Sequence, residues 1–213
     1  SAVIIDNASA ATLTLVVGTD NRTAAYASGD STIVSSGSDN ASLVFSYIIQ
    51  ATGTPGENDP NGISIVANAL NSNSITIRDA AGNIADNLTH DAVDNNSSYK
   101  VDTTPPTVDN FTMSDTELKI GDNATVTLVF SEPVCGASSG CSLSQTGGTD
   151  FSSADITSPN GSLNNTMSSS QANDNKSIWT GTFTPDDDTE DDSNTLSLAT
   201  TYTDLAGNNG PDN

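Results

Sequence analysis

Two five-residue segments carry oxygen-bearing side chains at the same spacing. They are Asp79-Ala-Ala-Gly-Asn83 in the first half and Asp204-Leu-Ala-Gly-Asn208 in the second. Glycine permits a tight turn, and carboxylate and amide oxygens are ligands that Ca²⁺ prefers. The same residues would also form an Asx turn, in which the carboxylate accepts hydrogen bonds from nearby amides. Both interpretations stay open, because calcium takes six to eight oxygens and one turn offers only about two or three.

Further ligands would come from the segment between the halves, Val101-Asp-Thr-Thr-Pro-Pro-Thr-Val108. In a β-sandwich the last hairpin lies at the end where the first strand enters, so the second turn is expected near this segment. We therefore predict an interdomain calcium cluster built by the second turn and this segment, with the first turn as a further site. The predicted calcium ligands are Asp102, Asp109, Asp204, Asn208, Asp79 and Asn83.

Two acidic stretches are weaker candidates. Residues 186–192 contain six acids in seven positions but lack the spacing of an EF-hand loop, so a solvated, self-repelling turn is expected, with loose cation binding as the alternative. For the turn at 55–62 the same two alternatives stay open, a solvated turn or loose cation binding.

Catalysis is not expected. The single histidine, His90, lies between Thr89 and Asp91 in a polar stretch, which predicts an exposed loop side chain rather than a member of a catalytic triad. Trp179 shares a predicted strand with Phe183 and is expected in a core rather than on a ligand platform.

The charge of the chain excludes some partners. Its 213 residues carry 27 acidic and 5 basic groups, a formal charge of −22, whereas nucleic-acid binding needs clustered Lys and Arg. Four of the acids are Glu, which leaves 23 Asp, a residue that favours turns over helices. No apolar run approaches the roughly 20 residues of a membrane-spanning helix, so direct membrane insertion is not expected.

The cysteines and sequons favour an extracellular location. Cys135 and Cys141 fit neither a CxxC redox motif nor a zinc site, so a disulfide in a small loop is favoured over two buried thiols. Asn-x-Ser/Thr recurs along the chain, which predicts glycosylation, although a chain rich in Asn, Ser and Thr would contain several such triplets by chance. The candidate glycosylation sites are Asn7, Asn21, Asn40, Asn87, Asn95, Asn96, Asn110, Asn123, Asn160, Asn164 and Asn175.

The elements that must position these residues are short strands. Apolar residues alternate with polar ones in segments such as Leu13-Thr-Leu15, Leu43-Val-Phe45 and Val126-Thr-Leu128, and Gly, Asn, Asp and Pro separate the segments. Pro105 and Pro106 interrupt any continuous strand and indicate a linker. We predict two all-β domains, residues 1–102 and 103–213, each of the size of an immunoglobulin-like sandwich.

The motifs resemble a known family. Val101–Val108, Ala124-Thr-Val-Thr-Leu-Val-Phe-Ser-Glu-Pro-Val134, Trp179–Pro185 and Tyr202–Asn208 are similar, in this order, to the bacterial and archaeal immunoglobulin-like repeats of giant adhesins, surface-layer proteins and cell-surface filaments. The first half resembles a sister repeat. The resemblance implies tandem β-sandwiches, a structural role at the cell surface, and calcium that stiffens the junctions between repeats.

Both ends depart from the family pattern. The first half lacks a counterpart of residues 121–134, and the second half ends soon after Asn208, so each is expected to be an incomplete sandwich. The chain is either an excerpt of a longer repeat protein or is completed by strands from neighbouring copies.

The expected function is therefore a non-enzymatic extracellular subunit of a filament, surface layer or adhesin stalk, with copies of itself or adjacent repeats as partners. The alternatives are a ligand-binding adhesin module and accessory domains of a secreted enzyme.

Overall fold

The computed structural model describes residues 3–27, 42–50, 57–72, 75–136, 151–164, 168–169, 177–193 and 195–211. In these ranges the regular elements are strands and two short 3-10 turns, so the all-β prediction is confirmed. The chain divides into two compact units, Ser1–Thr103 (unit 1) and Thr104–Asn213 (unit 2).

Unit 1 contains a four-stranded antiparallel sheet in the order β4-β3-β2-β5 and a separate antiparallel pair, β1-β6. A two-residue turn joins β2 to β3, and Gly18 at this turn has a φ of 62°, which favours glycine. A 3-10 turn, Ala8–Ala10, precedes β2. The strands are β1 Val3–Asp6, β2 Thr12–Val17, β3 Asp20–Tyr26, β4 Phe45–Ser46, β5 Leu70–Asn71 and β6 Thr76–Asp79.

The apolar side chains of unit 1 are only partly covered. In β2 the side chain of Val17 is buried, whereas Leu13 and Leu15 are half-buried. Ile48, just beyond β4, is 79% exposed. The buried apolar residues in the described part of unit 1 are small ones: Ala11, Val17, Ala24, Ala69 and Val101.

Unit 2 contains a larger antiparallel sheet, in the order β11-β13-β8-β7 with β12 also paired to β13, and the pairs β10-β14 and β9-β15. A 3-10 turn, Ser153–Asp155, leads into β10 and is capped by Ser152. The strands are β7 Val108–Met113, β8 Ala124–Phe130, β9 Val134–Cys135, β10 Ile156–Thr157, β11 Gly161–Leu163, β12 Ser168–Ser169, β13 Ile178–Pro185, β14 Ser197–Leu198 and β15 Thr203–Asp204.

A continuous hydrophobic core fills unit 2. Strand β8 buries every second residue, as the sequence alternation predicts, and its Leu128 is opposite Trp179 of β13. Trp179 is 2% exposed and packs with Phe151 at 5.5 Å between ring centroids, which confirms it as a core residue. Aromatic rings bury large apolar areas, so these side chains make a large contribution to the hydrophobic stabilisation of the unit.

Equivalent strand pairings relate the two units. Val3 pairs with Asp79 in unit 1, and Val134 pairs with Asp204 in unit 2, so β1 corresponds to β9. In unit 2 strands β7 and β8 precede β9. In the described part of unit 1, β1 is the first strand.

Candidate functional site

The carboxylate of Asp204 closes the turn that follows β15. Its Oδ1 accepts hydrogen bonds from the backbone N–H groups of Ala206 (2.8 Å) and Asn208 (2.9 Å), and its Oδ2 accepts one from the side-chain amide of Asn208 (2.7 Å). Gly207 has a φ of 93°, a left-handed conformation that L-residues rarely adopt. Because Asp204 is 0% exposed, water cannot readily replace the bonds that its carboxylate accepts.

The turn after β6 repeats this arrangement. Asp79 Oδ1 accepts from the N–H groups of Ala81 (2.9 Å) and Asn83 (2.8 Å), and Oδ2 accepts from the Asn83 side chain (2.8 Å). Gly82 has a φ of 90°. The hydrogen bond from the Asn83 side chain, followed by that from its backbone, lowers the pKa of Asp79. The main difference between the turns is that Asp79 is only half-buried.

Each turn is thus internally capped, as the Asx-turn interpretation predicts. A carboxylate has about four lone-pair sites, so three accepted bonds leave Asp79 and Asp204 about one further contact each. The turns alone supply too few oxygens for calcium, and a calcium site would need ligands from elsewhere.

One acid close to the second turn, Glu132, was not predicted from the sequence as a ligand. Carboxylate oxygens of Glu132 and Asp204 lie within 4.8 Å of each other. The pairing of Val134 with Asp204 brings Glu132, two residues before Val134, alongside the turn. Of the other predicted ligands, Asp102 is an exposed residue of unit 1, and Asp109 is exposed on β7 of unit 2, where the strand register shifts.

The acidic turn at 55–62 is not the solvated turn that the sequence predicts. Glu57 is 5% exposed and accepts hydrogen bonds from the Arg22 guanidinium, the Tyr47 hydroxyl and the Gln50 backbone N–H (2.8 Å). Burial raises the pKa of Glu57, but these bonds outweigh burial and leave the pKa below its usual value. The carboxylate therefore holds β3, the segment after β4 and the loop together.

Asp59, in the same loop, is also buried. Its Oδ2 accepts from Gly18 N–H (2.9 Å), and its Oδ1 accepts from Asn61 and Gly62 N–H. The Asp59 backbone pairs with Val101 through bonds of 2.8 and 3.0 Å. Asp59 therefore connects the β2–β3 turn to the last residues of unit 1, and the expectation of a solvated turn was wrong for both acids.

His90 is half-buried rather than fully exposed, so this prediction also needs correction. Its Nε2 accepts a hydrogen bond from the Ala69 backbone N–H (2.9 Å), and its Nδ1 lies 2.7 Å from the backbone carbonyl of Asp91. Nε2 must be unprotonated to accept, so Nδ1 carries the proton and donates to that carbonyl. Both ring nitrogens form hydrogen bonds with backbone groups, so His90 connects its own segment to the segment that contains Ala69.

Nine of the eleven predicted glycosylation sites lie in the described residues. Asn160 is half-buried and donates to Asp191 at 2.7 Å, and the other eight are exposed. Asn40 and Asn175 lie outside the described residues. Cys135 is buried and disulfide-bonded, and Cys141, the other cysteine of the chain, also lies outside them.

The second acidic stretch, 186–192, is exposed throughout, as predicted. It borders a cavity of about 420 Å³ in unit 2, which we call the acidic groove. The residues that line the groove include Met113, Glu117, Leu118, Phe183, Asp191, Asp192 and Leu196. In the described part of the chain, no helix is long and apolar enough to span a membrane.

Comparison with known families identifies one match. A family model described as a bacterial Ig-like domain matches residues 102–213, which is just over half of the chain and includes β7–β15. Comparisons with curated proteins and with solved structures find no match.

Proposed function

This chain belongs to the bacterial Ig-like domain family, and we propose that it is a structural repeat module of an extracellular surface protein. Domains of this family are typically non-catalytic and often occur in surface proteins. The finer proposal is that the chain spaces or assembles a cell-surface filament, surface layer or adhesin stalk. The surface acids and exposed sequons, if glycosylated, would keep such an assembly hydrated.

The repetition of one turn in the two units is the observation that carries the proposal. Asp79 and Asp204 each close a five-residue turn. In both turns the carboxylate accepts hydrogen bonds from two backbone N–H groups and from the side chain of the Asn. The strand before each turn has an equivalent antiparallel partner. Two copies of one domain plan in a chain are typical of proteins that extend by repetition.

Assembly with copies of itself, or with adjacent repeats, is supported by the open packing of unit 1. Among the strands that the structure describes, β4 lies at the edge of its sheet, and the adjacent Ile48 is 79% exposed. Unpaired strand edges recruit further strands, and half-covered apolar side chains gain burial when a strand is added. We propose that a strand from a neighbouring copy or repeat completes unit 1 in this way.

Sedimentation and negative-stain imaging test this assembly. The full chain is compared with Ile48→Asp and with Ile120→Asp, a matched control at a position in unit 2 that is 67% exposed. We expect concentration-dependent oligomers or fibres for the unmodified chain and the control, and fewer for Ile48→Asp. A monodisperse monomer at all concentrations would contradict strand addition.

Calcium binding is a further part of the proposal. Glu132 and Asp204 offer oxygen ligands within 4.8 Å, which suits a hard cation, and Asp102 is the predicted additional ligand. When bound, the ion would neutralise acids that have few basic partners. Melting curves recorded with calcium and with EDTA test this proposal. We expect calcium to raise the melting temperature, and we expect a smaller rise in Glu132→Gln. Identical curves with calcium and with EDTA would contradict the site.

A further inference from the structure

The acidic groove combines an apolar floor with a charged rim. Phe183 is 5% exposed and belongs to the core of unit 2, and Met113, Leu118 and Leu196 pack against this core while also lining the groove. The volume of about 420 Å³ lies within the range of sites that bind small groups, roughly 300–1,000 Å³. The groove therefore has room and apolar surface for a side chain from another molecule.

The rim of the groove is negatively charged. Glu117, Asp191 and Asp192 line it, and none of the lining residues is Lys, Arg or His. Hydrogen bonds from the backbone and hydroxyl of Ser193, and one from Asn160, lower the pKa of Asp191 and favour its charged form. These hydrogen bonds fix one carboxylate of the rim in place.

We propose that the acidic groove binds a basic peptide segment of a partner protein, in which an Arg or Lys is flanked by large apolar residues. The apolar neighbours would cover Leu118 and Leu196, and the cationic group would lie between Glu117 and Asp192. Charge complementarity favours this occupant, since an acidic or neutral segment would leave the carboxylates of the rim unpaired. This proposal goes beyond the structural role of the chain, because it assigns a recognition surface to unit 2.

Two alternatives to a basic peptide are a strand from a second copy of the chain and non-specific attraction of cations, and they would use the groove differently. A strand from a second copy would bring further acids to the rim, because the chain carries a net charge of −22. General attraction between an acidic protein and any cation would need no apolar floor. The experiment must therefore separate charge, apolar contact and self-association.

The test uses the isotopically labelled full chain and three peptides in nuclear magnetic resonance titrations at low salt. The peptides are acetyl-Leu-Arg-Leu-amide, acetyl-Leu-Gln-Leu-amide and acetyl-Gly-Arg-Gly-amide. We expect saturable shifts at Leu118, Phe183 and Leu196 with the first peptide, binding at least roughly fivefold weaker with the other two, and weaker binding as salt screens the rim.

Matched variants complete the test. Glu117→Gln with Asp192→Asn removes two charges from the rim, and Asp86→Asn with Asp94→Asn removes two exposed charges from unit 1. We expect the first pair to weaken the Leu-Arg-Leu peptide roughly fivefold and the second pair to change its affinity less than twofold. The proposal would be overturned if both pairs of substitutions weakened binding equally, or if the Gly-Arg-Gly peptide bound as tightly as Leu-Arg-Leu. It would also be overturned by chemical shifts away from the groove, or by self-association through the groove.

Discussion

Tyr202 packs directly against Gly210. The Tyr202 backbone carbonyl accepts from Gly210 N–H at 3.0 Å, and the Tyr202 hydroxyl donates to the Pro211 carbonyl at 3.3 Å. A Cβ atom added at Gly210 would lie 2.0 Å from atoms of the Tyr202 ring. Because Tyr202 is 0% exposed and contacts Phe130 in the core, the ring has little room to move aside.

Gly210→Ala is therefore expected to destabilise unit 2 by about 1–3 kcal/mol, the usual effect of overpacking. Denaturant unfolding followed by Trp179 fluorescence measures the change. Asn209→Ala, at the exposed neighbouring position, is the control and should stay within about 0.5 kcal/mol of the parent. Equal stability of the parent and Gly210→Ala would contradict the packing of the ring on this glycine.

The two Asx turns should differ in their contribution to stability. Asp204→Ala removes three hydrogen bonds accepted by a fully buried carboxylate, so we expect a loss of about 2–4 kcal/mol in unit 2. Asp79→Ala removes the same bonds from a half-buried carboxylate, where water replaces part of them, and should cost less. Thermal melting of both variants checks this order, and a greater loss for Asp79→Ala would refute it.

Glu57 should make unit 1 sensitive to acid. Its pKa in the folded protein lies below the unfolded value of about 4.3, so its charged form stabilises unit 1 above that pH. This stabilisation is lost as the pH falls through the folded-state pKa. We expect Glu57→Gln to destabilise unit 1 by about 1–3 kcal/mol at pH 7 and to flatten the pH dependence of its stability below the unfolded pKa of about 4.3.

Glu190→Gln is the control for Glu57, because Glu190 is exposed. Amide hydrogen exchange in β3 at a series of pH values reports unit 1 separately from unit 2. The same pH dependence in the parent and Glu57→Gln would show that the buried carboxylate does not cause the acid sensitivity.

The two units should respond unequally to loss of an apolar side chain. Leu128→Ala opens a cavity at a 0% exposed position of unit 2, with an expected loss of about 2–5 kcal/mol. Leu15→Ala in unit 1 removes a half-buried side chain and should cost less than about 2 kcal/mol. Calorimetry is expected to resolve a lower-melting transition for unit 1. A larger loss for Leu15→Ala would mean that unit 1 is as tightly packed as unit 2.

Local sequence patterns predicted the strands and the two turns well. The alternation in β8 and the Asp-x-Ala-Gly-Asn segments act over a few residues, so their physical basis is visible in the sequence. The burial of Trp179 followed from the same alternation.

Contacts between distant segments were not predictable in this way. Glu57 accepts a hydrogen bond from Arg22, which is 35 positions away in the sequence, and Asp59 accepts one from Gly18, which is 41 positions away. Nothing local distinguishes these two acids from the exposed acids at 186–192. Glu132 was missed for a similar reason, because only the register of β9 on β15 brings it beside Asp204. One sequence cannot specify such a register.

The attachment of Val101 to Asp59 determines how unit 1 would yield under tension. Two backbone bonds hold Val101, and before it the chain is fastened at Val93 by a bridge to Ile65 and at His90 by Asn68 and Ala69. A force applied beyond Thr103 would first load the two hydrogen bonds from Thr103 to Asn58, and then the bonds at Val101, Val93 and His90. Once released, residues 86–101 could extend to at most on the order of 50 Å, whereas the β2–β3 hairpin is held by its own ladder and would not need to open.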